Sequence, residues 1–421
     1  MLCRSYVHHR AFSRVLRAGL SASLALTLIA CGNGSERNGG GPVGTGFNMA
    51  IGFNDSVLSI ASAGDGSGDV YVGGNFSSYQ TLTVTRLVRL NSDGTVDTDF
   101  VTGSGFNGPV RSIALADDGS GDIYVGGDFT NYKSTPVAHL VRLHADGSID
   151  PVFATGIGFN DTVRSIAPTG DGTGDIYVGG DFTSYNTTTA VCLVRIRTNG
   201  TVNPLLVSGT GFSGAGLGTS VRSVVPANDG TKDVYVGGAF TTYNGITARD
   251  LVRLNENGTV DLAFATGAGF DNTVYSIALT GDGTGDLYVG GAFTSYNGVP
   301  VNNLLRLHAN GIVEPTFAIG TGFNNIIYSI ALSGDGTGDL YVGGAFTSYN
   351  GVPVNELLRL RANGIINPTF STGTSFDNVV LSVVPASDGT GDLYVGGEFT
   401  SYQNVTIGRI VRLTSAGSIA S

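Results

Sequence analysis

The sequence repeats an acidic glycine motif, DGxGD, whose carboxylates could bind a cation. One copy occupies residues 171–175, and the motif returns with few changes to make seven copies. Calcium takes roughly six to eight oxygen ligands, so a calcium loop needs further acids just before the motif. Ala167 and Thr169 stand there instead. We therefore interpret each copy as a turn in which aspartate caps backbone N–H groups, and we predict neither a metal nor a cofactor.

A second set of side chains with binding potential occupies one position that differs among the seven copies. This position follows the first valine or isoleucine of the strand that opens each copy, and in chain order it is Leu58, Arg111, Arg164, Arg222, Tyr275, Tyr328 and Leu381. Guanidinium groups bind anions through charge-assisted hydrogen bonds. Our hypothesis is that the three arginines form a cationic arc that receives an anionic group of a protein or glycan partner, with the two tyrosines completing the ligand site. The alternative is that each arginine only satisfies local carbonyls or points into solvent.

One insertion interrupts the repeat, and it lies next to this arc. It falls within residues 213–220 and directly precedes the strand of Arg222. Two departures from symmetry therefore occur together, and we expect the inserted loop to cover part of the arc.

Two further charged positions do not vary between copies. An aspartate such as Asp122 or Asp286 opens the second strand of every copy, and an arginine occupies one position of the third strand. The arginines are Arg89, Arg142, Arg195, Arg253, Arg306, Arg359 and Arg412. Seven equivalent active sites would be unusual, so we interpret both positions as a structural contact between strands.

Signals of catalysis are weak. Beyond residue 30 the histidines are His139, His144 and His308, and there is no HExxH, GxSxG or Walker motif. Paired acids for glycoside hydrolysis can come from distant parts of a chain and leave no local motif. We therefore predict a non-enzymatic binding or protein-interaction module, and the alternative is a glycan-processing hydrolase or lyase.

The elements that must position these side chains are strands that recur every 53 residues, with one interval of 58. The period is marked by a tyrosine of the second strand, at Tyr71, Tyr124, Tyr177, Tyr235, Tyr288, Tyr341 and Tyr394. Each copy contains four short segments rich in β-branched and aromatic residues, as in residues 274–279, 287–293, 304–307 and 312–317. Four antiparallel strands per copy predict an all-β, seven-bladed β-propeller over residues 44–421.

A propeller gives roles to the other repeated residues. Phe293, with Tyr296 after it, is the expected wedge between blades, and Gly290 with Gly291 marks a bulge or a close approach of the next blade's backbone. The first strand of a blade is normally innermost, so the arc lies at the mouth of the central channel, where an enzyme's site would also lie. We also expect residues 44–47 to complete the outer strand of the last blade, because an open sheet edge is a liability.

The first 30 residues read as an export signal. Four arginines and no acid accompany an apolar run, residues 20–30, that is too short for a permanent membrane span. Residues 31–43 form a glycine-rich tether. The formal charge of the chain is −11, and without the four leader arginines it is −15. We therefore predict no nucleic-acid partner, and we expect a monomer.

Two parts of the sequence resemble known families. Residues 28–31, LIAC, resemble the lipobox of bacterial lipoproteins. That resemblance implies that Cys31 is lipidated and that the protein is anchored in the cell envelope, at the outer membrane or cell surface; the alternative is an ordinary signal peptide with Cys31 as a free thiol. The patterns GDxYVGGxF, LVRL and DGxxDxxF, as in residues 121–129, 140–143 and 146–153, resemble the delta-60 repeat family of bacterial tandem β-propeller repeats. This second resemblance covers residues 44–421 and implies the fold but no activity.

Overall fold

Short strands make up all the regular structure in the described part of the chain. The computed structural model describes residues 52–206, 209–214, 218–264, 267–371 and 376–420. These residues belong to one unit, Thr45–Ser421, and they include no helix with the length and apolar character needed to cross a membrane. The predicted signal peptide, Cys31, the tether and the predicted closing residues 44–47 lie outside the described residues.

Seven inner strands, here called strand A, open the seven blades. Six of them begin with a fully buried valine or isoleucine, and the fourth begins one residue earlier, at Ser220. They are Val57–Ser62, Val110–Leu115, Val163–Pro168, Ser220–Pro226, Val274–Leu279, Ile327–Leu332 and Val380–Pro385.

Strand B, the middle strand of each blade, is buried along nearly its whole length, as its YVGG core predicts. The seven copies are Val70–Gly74, Ile123–Gly127, Ile176–Gly180, Val234–Ala239, Leu287–Gly291, Leu340–Gly344 and Leu393–Gly397. Strand C, the outer strand, carries the repeated LVRL sequence. Its copies are Leu87–Leu90, Leu140–Leu143, Leu193–Ile196, Leu251–Leu254, Leu304–Leu307, Leu357–Leu360 and Ile410–Leu413.

Each blade is an antiparallel sheet in the order A–B–C. The predicted fourth strand is reduced to one bridge pair per blade, such as Leu90 with Val96. The reason is local, since the carboxylate of Asp97 accepts a hydrogen bond from the Asp99 N–H at 2.9 Å and turns the chain away from the sheet. The fold class is confirmed as a seven-bladed all-β propeller, with a shorter fourth strand than predicted.

A small hairpin joins strands B and C, where the sequence predicted a loop. A buried tyrosine ends its first strand, and an exposed pair forms its second. The hairpins are Ser78–Tyr79 with Leu82–Thr83, Asn131–Tyr132 with Thr135–Pro136, Ser184–Tyr185 with Thr188–Thr189, Thr242–Tyr243 with Ile246–Thr247, Ser295–Tyr296 with Val299–Pro300, Ser348–Tyr349 with Val352–Pro353, and Ser401–Tyr402 with Val405–Thr406. In the fourth blade an additional strand, Phe212–Ser213, pairs with the hairpin.

A circle of hydrogen bonds joins the seven A strands and closes the ring. In each A strand a serine hydroxyl accepts from a backbone N–H of the next A strand, as Ser59 does from Ile113 at 3.2 Å. The circle is completed between the last and first blades, where Ile60 N–H donates to the Ser382 hydroxyl at 3.1 Å. The Tyr394 hydroxyl also donates to the Gly68 carbonyl at 2.7 Å across the same joint.

The core lies within and between the blades, as the repeated aromatic residues predict. In the first blade the rings of Phe53 and Phe76 lie 4.1 Å apart and those of Phe53 and Tyr79 4.6 Å apart. The same cluster contains Tyr394 and Ile410 of the last blade. Aromatic packing of this kind therefore links neighbouring blades as well as filling each one.

The glycine pair of strand B lies opposite a β-bulge, as predicted, but the next blade approaches it with a side chain and not with its backbone. A methyl group added at Gly73 would lie 2.5 Å from Cγ1 of Val110 in the next blade. Opposite the pair, the register of strand A shifts between Val57 and Ser59. Leu58 is therefore the extra residue of a β-bulge, and the same shift recurs in all seven blades.

Candidate functional site

The seven β-bulges place the variable position of strand A at one end of the propeller. We call this the entry end; strand A begins there, strand B ends there and strand C begins there. Each bulged residue is half-buried, whereas the residue before it is fully buried. A bulge redirects the extra side chain out of the regular alternation of a strand. The bulge thus explains why a strand of the inner ring carries large polar residues at this position.

The opposite end carries the two invariant charged positions. Arg195 is 1% exposed, and its guanidinium lies 2.8 Å from Asp171 and 2.9 Å from Asp175. Every blade has an equivalent pair of contacts. The structural interpretation of both positions is confirmed, because the arginine of strand C ties the turn between strands A and B to the sheet.

At the entry end, two arginines of the predicted arc are paired with acids of their own blades. The Arg111 guanidinium donates two hydrogen bonds of 2.6 Å to Asp128. Arg164 makes the equivalent paired contact with Asp181, with a shortest distance of 2.5 Å. Both acids occupy the position just after the glycine pair of strand B. The three guanidinium groups of the arc and these two carboxylates leave a net charge of one positive unit.

Arg222 differs from the other two arginines, because Ala239 replaces the acid after its glycine pair. Its Nε is buried and makes no hydrogen bond to any described residue. The guanidinium carbon lies 5.3 Å from the centre of the Tyr275 ring, within cation–π distance. Burial and the neighbouring Arg164 lower the pKa of Arg222. Arg222 is therefore the member of the arc whose charge is not matched by a carboxylate of its own blade.

The two tyrosines continue from Arg222 around the entry end. The rings of Tyr275 and Tyr328, on adjacent blades, lie 5.1 Å apart in an edge-to-face arrangement. In the blades of both tyrosines, the residue just after the glycine pair of strand B is alanine: Ala292 in one and Ala345 in the other. The structure thus brings Arg222, Tyr275 and Tyr328 into one contiguous row.

Two cavities flank Arg222, and each has a volume of about 520 Å³. The blade 3–4 cavity is lined by Arg164, Asp181, Cys192 and Ser220 among others, and the Ser220 hydroxyl donates to Asp181 at 2.6 Å. The blade 4–5 cavity includes Tyr275. Arg222 and Gly218 line both cavities. Residues 215–217, in the centre of the insertion expected to cover the arc, lie outside the described residues.

Another variable position, just before strand C, also lies at the entry end. Its residues all have positive φ and are Arg86, His139, Cys192, Asp250, Asn303, Glu356 and Arg409. Four of them direct a nitrogen to a carbonyl oxygen at the end of strand B, as Asn303 does to Gly291 at 2.9 Å. Asp250 and Glu356 are each 9% exposed. Burial raises the pKa of both carboxyl groups to about 7.

Asp250 has the environment of a general acid, but its neighbour Asp271 is not placed as a base. Burial opposes ionisation of Asp271, yet hydrogen bonds from Thr294 and Ser295 lower the pKa of this carboxyl group. Those bonds occupy both carboxylate oxygens, at 2.6 to 2.9 Å. Four other blades have asparagine at the same position, with the same backbone contacts, as in Asn160, and Asp377 makes these contacts in blade 7. The position therefore has a structural role in fixing the hairpin.

Carboxylates at the opposite end are engaged within the protein. In the DGxGD turn the Asp65 carboxylate accepts from Ser67 N–H at 2.9 Å, which confirms the capping interpretation. One histidine with two acids comes close to a ligand set in the described part of the chain, since ligand atoms of Asp286, His308 and Glu314 lie within 4.8 Å of one another. There, His308 Nδ1 faces Asp286 at 3.3 Å, and Nε2 faces Glu314 at 3.2 Å.

Sequence reasoning missed the acids that pair with the arc and the position before strand C. The signal for the acids was present in two positions, the bulged residue of strand A and the residue after the glycine pair of strand B. These positions hold arginine and aspartate in blades 2 and 3, and tyrosine and alanine in blades 5 and 6. Arg222 with Ala239 breaks that rule.

The family model described as "Domain of unknown function (DUF5122) beta-propeller" matches seven tandem segments that together cover more than half of the chain. They are residues 66–100, 119–153, 172–205, 228–264, 283–317, 336–370 and 389–419. The chain belongs to this family. The match confirms the prediction of a tandem β-propeller repeat protein. No curated protein sequence matches the chain.

Solved structures similar to this DUF5122 propeller show the fold alone. The WD40 β-propeller domain of Doa1 is 14% identical with a TM-score of 0.51, over 87% of this chain and 95% of that one. The GH74 xyloglucanase from Xanthomonas campestris is 14% identical with a TM-score of 0.53, over 88% of this chain. The DUF5122 propeller spans about half of that xyloglucanase, 53% of its length.

Proposed function

We propose that this DUF5122 propeller is a non-enzymatic binding module, held at the cell envelope by a lipid on Cys31, and that its ligand site is the entry end. One observation carries the proposal. The seven blades share their core, their turn contacts and their inter-blade hydrogen bonds, whereas three positions at the entry end differ in charge between blades: the bulged residue of strand A, the residue after the glycine pair and the residue before strand C. A site built on a rigid repeated scaffold is expected where the repeats differ.

Hydrogen exchange would test the binding proposal. The wild-type protein would be screened against envelope proteins and glycans, and exchange would be measured with and without each ligand found. We expect a bound ligand to slow the exchange of backbone amides in the first residues of strand A and in the residue before strand C. Protection confined to the DGxGD turns would refute the entry end as the ligand site, and a screen without any saturable binder would refute the binding function.

The envelope anchor has its own test. Cells that express the wild type or Cys31→Ala would be labelled with a fatty acid and fractionated. We expect label and membrane association only in the wild type, because acylation requires the cysteine thiol. A wild-type protein without label would refute the anchor.

A glycan-processing enzyme is the second candidate, and the pKa of Asp250 favours it. A buried carboxyl group with a pKa of about 7 can serve as a general acid near neutral pH. Cleavage of polysaccharides by the wild type that is lost in Asp250→Asn would support this candidate over the binding module. The occupied oxygens of Asp271 argue against a paired base in the same cavity.

A further inference from the structure

We infer that Arg222 binds the carboxylate of a uronic acid residue in a glycan, and that the hydroxyl groups of the same sugar form hydrogen bonds with the polar side chains around it. This inference rests on the proposed function, because it assigns the ligand class of the entry-end site.

The first step is the availability of Arg222. Arg111 and Arg164 already bind Asp128 and Asp181 through two hydrogen bonds each, so a ligand would have to compete with a paired carboxylate. Arg222 faces no such competitor, and its buried Nε lacks a partner among the described residues. A buried N–H group without a hydrogen-bond acceptor is costly, and a planar carboxylate is the acceptor that matches the geometry of a guanidinium group.

The second step limits the charge of the ligand. The two cavities beside Arg222 are lined by three guanidinium groups and four carboxylates; these residues are Arg164, Arg222, Arg249, Asp161, Asp181, Asp250 and Asp271. Asp250 keeps its proton below about pH 7, so apart from Arg222 the charged lining consists of three carboxylates and two guanidinium groups and is slightly negative. A phosphate dianion or a peptide with several acidic side chains would meet repulsion from these carboxylates. A ligand with a single carboxylate on each of its residues matches the single guanidinium group that lacks a carboxylate partner.

The third step concerns the rest of the ligand. Polar side chains in the walls can form hydrogen bonds, so a ligand that carries hydroxyl groups beside its own carboxylate satisfies both requirements of the site. The walls add further hydroxyl and amide groups, including Thr241, Asn272 and Thr273, and an aromatic wall from Tyr275. Each cavity, at about 520 Å³, lies within the usual size range of small-ligand sites. A sugar acid combines a ring of suitable size, several hydroxyl donors and a single carboxylate.

The experiment uses trimers of galacturonic, glucuronic and mannuronic acid as probes, with calorimetry on the wild type and on Arg222→Tyr. The tyrosine variant copies the Tyr275 and Ala292 combination of blade 5, so the blade should fold. We expect at least one trimer to bind the wild type and to bind the variant roughly 10- to 100-fold more weakly, the size of one charge-assisted contact. The methyl ester of that trimer should bind as weakly to the wild type, because esterification removes the charge.

The matched control is Lys232→Gly, which copies the turn glycine of the other blades, such as Gly285, and removes one positive charge at the opposite end of the propeller. It should retain the wild-type affinity within about twofold, as expected for sites that do not share a partner. If the tyrosine variant does not fold, Arg222→Gln provides the same comparison while keeping a hydrogen-bond donor.

Several results would overturn the inference. They are a wild type that binds none of the trimers, equal affinity of the Arg222 variant, equal affinity for the methyl ester, or tighter binding of a hexaglutamate peptide than of any trimer. A neutral glycan or a protein that binds the entry end without help from Arg222 would overturn the inference but leave the proposed function intact.

Discussion

Replacing Asp250 by asparagine should stabilise the protein above neutral pH and have a smaller effect in mild acid. Burial raises the pKa of this carboxyl group from an ordinary value of 3.8 to about 7. Between these two values the folded protein binds more protons than the unfolded chain, so stability falls as the pH rises. The full loss, reached above pH 7, is about 4 kcal/mol, since one unit of pKa shift corresponds to about 1.4 kcal/mol.

The structure also shows what an asparagine would do at this position. Asn303 occupies the same position in blade 5, has the same positive φ, and donates from Nδ2 to the Gly291 carbonyl at 2.9 Å. We expect the new amide of Asp250→Asn to make the equivalent bond to the Gly238 carbonyl at every pH. The acceptor role of the side chain toward the Phe240 N–H, which Asp250 fills at 3.1 Å, can be kept by the amide oxygen.

Urea denaturation of the wild type and of Asp250→Asn at pH 5 and at pH 8 would measure this effect. The difference in unfolding free energy should grow by about 3 kcal/mol in favour of the variant between the two pH values. Asp271→Asn is the matched control, because its lowered pKa affects stability only below about pH 4, so its difference should stay nearly constant from pH 5 to pH 8. A pH-independent difference for Asp250→Asn, or a variant less stable than the wild type at pH 8, would refute the reasoning.

Three further predictions concern other parts of the ring. In urea denaturation, the unfolding free energy of Glu356→Gln relative to the wild type should also rise from pH 5 to pH 8, because burial raises the pKa of Glu356 to about 7. A difference between the two proteins that does not change with pH would contradict this. Arg195→Gln should lower the unfolding free energy by about 3–5 kcal/mol, since it leaves Asp171 and Asp175 without their buried partner, and a loss below 1 kcal/mol, roughly the value of a surface pair, would argue against a structural role. Melting curves recorded with calcium and with a chelator should coincide, because the turn aspartates already bind arginine and backbone N–H groups.

Much of the fold could be predicted from the sequence because the same physical requirement is repeated seven times. Three structural roles require the same residue types in every blade: the glycine pair, the buried YVGG strand and the arginine of strand C. Because each pattern recurs seven times, it can be told from a chance occurrence. The structure confirms the blades, the Arg–Asp contacts and the bulge at the glycine pair.

The parts that could not be predicted depend on very short or very local interactions. A two-residue hairpin such as Ser78–Tyr79 has no periodicity to detect, and the turn at Asp97 ends a strand through a single side-chain hydrogen bond. The arc could be located as a set of variable residues, but its charge could not, because Asp128 and Asp181 lie 17 residues after their arginines, just beyond the end of another strand. Only a pairwise comparison of blades shows that Arg222 differs.

The circle of serine hydrogen bonds has a consequence for how proteins of this family can change. Each blade meets its neighbours through the same parts, a serine hydroxyl and a glycine that receives a valine or isoleucine of the next blade. A blade exchanged for another would therefore form the same joints with its new neighbours, while the residues at its entry end would move with it. New combinations of entry-end residues can thus arise by shuffling whole blades in the gene, with no redesign of the scaffold.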